Sequence, residues 1–292
     1  MTHPAPRIVI HADDVGMSHG SNVAFCELSR LGVVTAGSVM VPCPWFPEIA
    51  SLSAADGALD LGVHLTLCAE HRGYRWRPVS NATRASGLID DDGYLWREVA
   101  SVRQHAHPEA VEVEWRAQID CALAAGIDVT HLDAHMGAAL APEFCNRYVR
   151  LGAEYGVPVL LTSALSGYAT RSPHLADVSD DRFAPFVDYA RKAGLPLFDQ
   201  VLETDFARAV GQPADYRSVL AGIDAELAFC AFHPAAPGDI NVIEPHACHV
   251  RTEEYELFRS DEWRAWLAAQ PFALIGMREM RDAYRTQAGL TP

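Results

Sequence analysis

The stretch RIVIHADD, residues 7–14, decides the fold. Its β-branched run ends at the pair Asp13–Asp14 and begins after Pro6, which predicts a short strand with acidic groups at its carboxyl end. Ser18 then caps a helix-period stretch through Leu31. The same strand-then-helix order repeats outward. Val34–Val41 precedes Pro44 and a helix to about Leu52, and Leu59–Leu67 reads as a mostly buried strand. Glu109–Ala125 has helical spacing, with Val129–Asp133 as the strand after it. Pro142–Tyr155 is helical with Gly156 as its stop, Val157–Leu161 is a strand, and helices are predicted over Phe183–Ala193 and Tyr216–Ile223. Glu226–Phe232 reads as a strand, Thr252–Ala269 as a helix, and Phe272–Ile275 as a last strand before a C-terminal helix. Alternating strands and helices imply parallel β-α-β units, hence an α/β fold, with 1–292 as one domain. A long Gly- and Arg-containing insertion, 68–107, follows the third strand.

The chain has 292 residues, 49% hydrophobic and 21% charged. That is an ordinary globular composition, and the length suits one α/β barrel of about 250 residues with insertions. Lys plus Arg number 23 against 38 Asp plus Glu, a net charge of −15. This acidity argues against nucleic-acid backbones and anionic membranes as partners, because both require a basic face. The seven cysteines include no C-x-x-C, which argues for reduced thiols and a cytoplasmic protein. The opening MTHPAPRIVIHADD lacks the features of a signal peptide, and no run approaches about 18 apolar residues. A symmetric homodimer is the commonest assembly for such an enzyme.

Polar residues interrupt the apolar runs at one kind of place. Asp13 and Asp14 follow the first strand, and His64 lies near the end of the third. His131, Asp133 and His135 end the strand after the 109–125 helix, and His233 follows the 226–232 strand. In a barrel of parallel strands these carboxyl ends share one face, where barrel enzymes keep their active sites. One buried histidine is ordinarily a hydrogen-bonded core residue, and one Asp pair ordinarily a turn. Four strand ends furnished this way are different, because buried carboxylates and imidazoles cost free energy unless paired or metal-bound. Two imidazoles and one carboxylate suit a divalent cation with positions left open for water. Neighbours on a regular strand point to opposite faces, but a twisting strand end lets Asp13 and Asp14 border one cavity. Asp133, two residues from His135, would orient an imidazole or contact substrate.

Taken in order, HADDVG (11–16), GVHLTL (62–67), THLDAHMG (130–137) and FHPAAPGD (232–239) resemble the YdjC/ChbG carbohydrate deacetylase family. The resemblance implies a distorted (β/α) TIM-like barrel and one divalent metal ion, zinc or magnesium. It also implies removal of acetyl groups from N-acetylated sugars, such as chito-oligosaccharides, by attack of a metal-bound water. Matched by position, Asp14, His64 and His135 would be the metal ligands, Asp13 the general base and His233 the general acid. Three positions depart from the family's pattern: Val15 where Phe is common, His11 where Asn is common, and Gly137 where a further histidine often follows. They alter the pocket wall and leave the metal set whole.

Other residues have two readings. Tyr74, Trp76, Tyr94 and Trp96 in the insertion would stack on pyranose rings or pack a long loop onto the barrel. Arg251 would orient a carboxylate in the pocket or form a surface salt bridge, the second being the commoner case. His246, Cys248 and His249 read as a solvated loop, and His105-Ala-His107 lies inside the insertion instead of ending a strand. The competing functions are another barrel metallohydrolase, an amidohydrolase or a phosphoesterase, and an inactive sugar-binding module. No G-x-S-x-G elbow supplies a serine nucleophile.

Overall fold

The computed structural model describes residues 5–168 and 175–290. Its strands are β1 (Arg7–Val15), β2 (Ala36–Val39), β3 (Leu61–Leu65), β4 (Val129–Ala134), β5 (Gln200–Glu203), β6 (Leu227–Phe232) and β7 (Ala273–Leu274). The α-helices between and after them are α1 (His19–Arg30), α2 (Phe46–Ala55), α3 (Val99–His105), α4 (Pro108–Ala124), α5 (Cys145–Tyr155), α6 (Asp180–Lys192), α7 (Tyr216–Ala221), α8 (Ile240–Ile243), α9 (Cys248–Arg259), α10 (Asp261–Ala268) and α11 (Met277–Ala288). The strands pair in parallel in the order β4-β3-β2-β1-β6-β5, with β7 against β1. Ile8, Val9 and Ile10 are buried on consecutive positions, as required of a strand covered on both faces.

Hydrogen bonds carry the sheet round from β4 to β5. Leu132 N–H donates to Pro158 O and Leu160 N–H to Leu132 O, both at 2.9 Å, while Phe198 N–H donates to Leu161 O at 2.9 Å. The segment 157–162 therefore bridges the two edges, and the ring closes as a distorted barrel. The expected strand Val157–Leu161 is thus present as a stave with isolated bridges instead of a full ladder. The distortion has a second source beside β1. β7 pairs with Arg7 and Ile8, and β2 pairs only from His11 onward, so two short strands share one edge.

Local chemistry explains most boundaries. Ser18 accepts the Ser21 N–H at 2.9 Å and caps α1, and Gly156 ends α5 with φ 66, a left-handed stop that glycine adopts without a steric penalty. Two expectations need correction. Thr252–Ala269 is not one helix, because Ser260 closes α9 and its hydroxyl accepts the Trp263 N–H to start α10. β5 falls where no strand was predicted. Gly62 in β3 is fixed by close approach, since a Cβ there would lie 2.5 Å from the His131 carbonyl oxygen and 2.6 Å from its ring. Gly62→Ala is expected to cost about 1–3 kcal/mol through overpacking, read as a lower denaturant midpoint at unchanged slope.

Candidate active site

The end of β1 solves the problem of two adjacent aspartates. Asp14 has φ 57, and the β1–β2 register shifts between Ala12 and Val15. This left-handed kink, which costs of order 1–3 kcal/mol for a residue other than glycine, breaks strand alternation so that Asp13 and Asp14 line the same cavity.

Asp14, His64 and His135 converge there, all buried. Their ligand atoms lie within 4.8 Å of one another. Asp14 Oδ1 is 3.3 Å from His64 Nε2 and 3.1 Å from His135 Nδ1. The remaining nitrogen of each ring is occupied: His64 Nδ1 lies 3.0 Å from Ser38 Oγ and 3.0 Å from Asp133 Oδ1, and His135 Nε2 lies 3.0 Å from Glu70 Oε2. Ser38 Oγ donates to Asp133 Oδ2 at 2.8 Å and anchors that carboxylate. Each imidazole is thus oriented from behind by a carboxylate, the arrangement that fixes tautomer and raises basicity in metal-binding histidines. Asp133 orients His64, and Glu70 takes the corresponding place for His135. Met136 and Gly137, with φ 55 and 64, turn the backbone sharply after His135.

Arg251 is buried inside the site, so the surface-salt-bridge reading fails. Its Nη2 lies 2.8 Å from Asp14 Oδ2 and its Nε 2.5 Å from Glu244 Oε2. Burial alone would raise the Asp14 carboxyl, but Arg251 and His135 hold it well below the usual carboxylate range. Burial likewise opposes a charge on His135, yet Glu70 and Asp14 bring its pKa up to about 9. Asp14 therefore stays ionised beside two nitrogens. That donor set fits a divalent cation.

Asp13 Oδ1 accepts from His11 Nδ1 at 2.6 Å. Its Oδ2 stands 3.9 Å from His64 Nε2 and 3.7 Å from His233 Nε2. His233 Nδ1 lies 2.9 Å from Thr204 Oγ1, whose hydroxyl donates to Glu254 Oε1 at 2.6 Å. Glu254 Oε2 also accepts the His233 backbone N–H at 2.7 Å. Burial lowers the His233 pKa to about 4 and raises that of Glu254 to about 7.

The cavity around these groups is about 340 Å³, within the usual range for a small-molecule site. Tyr74, Trp76 and Trp96 do not line it, which corrects the sugar-stacking expectation for the insertion. Tyr74 O–H donates to Met17 O, Trp76 Nε1–H to Cys68 O and Trp96 Nε1–H to Gly87 O, so each ring packs the loop down. Trp96 also stacks on His105 at 4.6 Å, and Tyr94 lies under Arg75. Tyr148, Tyr168 and Phe206 line the cavity instead, aromatic residues that sequence reading missed. Phe206 stands edge-on to His233 at 4.7 Å and 5.0 Å from the Arg251 guanidinium carbon. His249 Nε2 is 2.9 Å from Arg208 O, and no cation cluster among the described residues includes His246, Cys248 or His249.

Fold and site together define a parallel α/β barrel with a carboxylate–imidazole centre at the carboxyl ends of its strands. The chain matches the YdjC-like protein family over residues 7–269 and belongs to it. It is 37% identical over 171 residues to a carbohydrate deacetylase of Thermus thermophilus, a match spanning 59% of each chain. A carbohydrate deacetylase of Brevibacillus brevis is 27% identical over 274 residues, 94% of this chain and 99% of that one. Among solved structures, an Enterococcus faecalis V583 protein provisionally assigned to cellobiose-phosphate cleavage superposes with a TM-score of 0.75. It covers 94% of this chain and 99% of its own at 21% identity, a likeness of fold.

Proposed function

We propose that the protein is a metal-dependent carbohydrate deacetylase that hydrolyses the acetyl amide of N-acetylated sugars, chito-oligosaccharides among them. The observation that carries this reading is the convergence of Asp14, His64 and His135, each imidazole backed by a carboxylate, beside an aspartate and a histidine with open faces. The names of the Thermus and Brevibacillus relatives agree with it. Asp14, His64 and His135 would hold the cation, which when bound polarises the acetyl carbonyl and acidifies water enough for deprotonation near neutral pH.

The chain's own groups supply the rest. Asp13 Oδ2 accepts the proton of the attacking water. His233 Nε2 delivers a proton to the departing amine; its Nδ1 donates to Thr204 Oγ1, because the Thr204 hydroxyl proton is committed to Glu254. The Phe206 ring offers an apolar face to the pyranose. Among the described residues and apart from the histidines, Arg251 is the only basic residue lining the cavity, against Asp13, Asp14, Glu70, Asp133, Glu203 and Glu244. Arg251 is already shared between two of these carboxylates. A phosphorylated N-acetyl sugar is therefore expected to be hydrolysed with kcat/KM about tenfold or more below its neutral counterpart, and Glu203→Lys should narrow that gap.

The deciding test is acetate release from a panel of N-acetylated mono- and oligosaccharides, before and after treatment with a chelator. Release that stops with the chelator and returns with zinc or magnesium is the expected result. No release from any member, or release indifferent to metal, sinks the reading, and phosphate release from phosphoesters would favour the phosphoesterase alternative. A cytoplasmic setting fits the seven free cysteines and the absence, among the described residues, of a helix long and apolar enough to cross a membrane.

A further inference from the structure

Two core histidines take no part in the chemistry above. His11 of β1 and His131 of β4 are fully buried, and their Nε2 atoms lie 2.9 Å apart. Beyond them, His131 Nδ1 is 3.0 Å from Thr130 Oγ1, which donates to Asp60 Oδ1 at 2.6 Å. Asp60 Oδ2 accepts the Arg278 backbone N–H at 2.7 Å. Asp60 immediately precedes β3, at the amino-terminal end of the barrel, while the other end of this chain of contacts is Asp13 Oδ1 in the active site.

Donor counting, together with the neutrality that burial imposes on His131, sets the direction of the links. The single hydroxyl proton of Thr130 is committed to Asp60, so its oxygen must accept from His131 Nδ1. Burial lowers the His131 pKa to about 3, so this ring carries one proton, on Nδ1, and its Nε2 accepts. His11 accordingly donates through Nε2 to His131 and through Nδ1 to Asp13. Reversing the His11–His131 link would move the shared proton onto His131 Nε2 and place a second proton on a ring whose burial opposes the charge.

We propose that Asp60 is a positioning residue for Asp13. Acting through Thr130, His131 and His11, it fixes the direction of these hydrogen bonds, so that Asp13 Oδ1 is held and Oδ2 alone faces His233 and the cation site. The consequence for turnover rests on the deacetylase reading; the consequence for the hydrogen bonds does not.

Thr130→Val keeps the shape of the side chain and removes both its donor and its acceptor, while Thr130→Ser keeps both. With acetate release as the readout, T130V is expected to lower kcat about 10- to 100-fold, the range for loss of an orienting partner, with KM and bound-cation stoichiometry unchanged. T130S should stay near the parent. Proton NMR supplies a readout apart from turnover: a far-downfield imidazole N–H resonance from the His11–Asp13 contact, present in the parent and T130S and lost in T130V. Parental kcat in T130V, an equal loss in T130S, or a loss carried by KM overturns the proposal. Should T130V fail to fold, Asp60→Asn replaces it. With its oxygen held by the Arg278 N–H, the amide presents its NH2 to Thr130, so the link is reversed and the same kcat-only loss is expected; parental kcat and an unchanged resonance in D60N overturn the proposal. A parent protein that releases no acetate would count against the deacetylase reading instead, and the resonance would still decide the hydrogen-bond chain.

Discussion

His135→Ala is expected to leave the protein without stoichiometric bound cation and to lower acetate release by about a thousandfold or more. The magnitude follows from the several kcal/mol of charge stabilisation that a catalytic cation contributes. The fold should survive, because Asp14 keeps its contacts with Arg251 and His64 and the ring's removal leaves a space at the mouth instead of in the core. Glu70→Gln provides the comparison. Glu70 reaches His135 through the far nitrogen of the ring, and its other oxygen lies 3.1 Å from His71 Nε2, so the amide should weaken cation affinity about 10- to 100-fold and allow turnover to recover when metal is added. Metal analysis of dialysed protein with turnover across a metal titration separates the two variants. An H135A protein that retains both metal and activity removes His135 from the cation site, and an E70Q protein indistinguishable from the parent removes Glu70 from its support.

The difference between these residues shows what the sequence could convey. His135 could be found without coordinates because it stands at the end of an apolar run, where a polar residue is conspicuous, and the same reasoning reached Asp13, Asp14, His64, Asp133 and His233. Glu70 sits in an irregular segment just beyond β3. Its importance depends on which way the His135 ring turns, and that is set by the left-handed backbone at Met136 and Gly137. Thr204 and Phe206 were out of reach because they follow β5. The sequence of that strand, QVLE, offers two apolar positions between polar ones, and it exists through its ladder to β6. The large aromatics of the insertion left two readings open for a related reason. Composition alone cannot distinguish a ring facing solvent from one whose N–H or O–H has a backbone carbonyl to satisfy, as Trp76, Trp96 and Tyr74 do.

Asp13→Asn is expected to retain bound cation and to lower kcat by about 10²- to 10⁴-fold, the usual contribution of a general base. Asn keeps an oxygen to accept from His11 but loses the ability to take a proton on the side facing the cavity. Its partner in the reaction is constrained by burial. With its pKa lowered to about 4, His233 is neutral near pH 7, and its one proton lies on Nδ1 against Thr204. The proton it gives the amine must therefore first reach Nε2, and Asp13 Oδ2, 3.7 Å away, is the nearest carboxylate oxygen with its face to that nitrogen. Water to Asp13 to His233 to amine is then a single path, and cutting it twice should do little more than cutting it once. The D13N/H233A double variant is expected to fall within about threefold of the slower single variant, as for residues that act as a unit. Losses that multiply would mean that the two residues act in separate steps, with the amine drawing its proton from elsewhere.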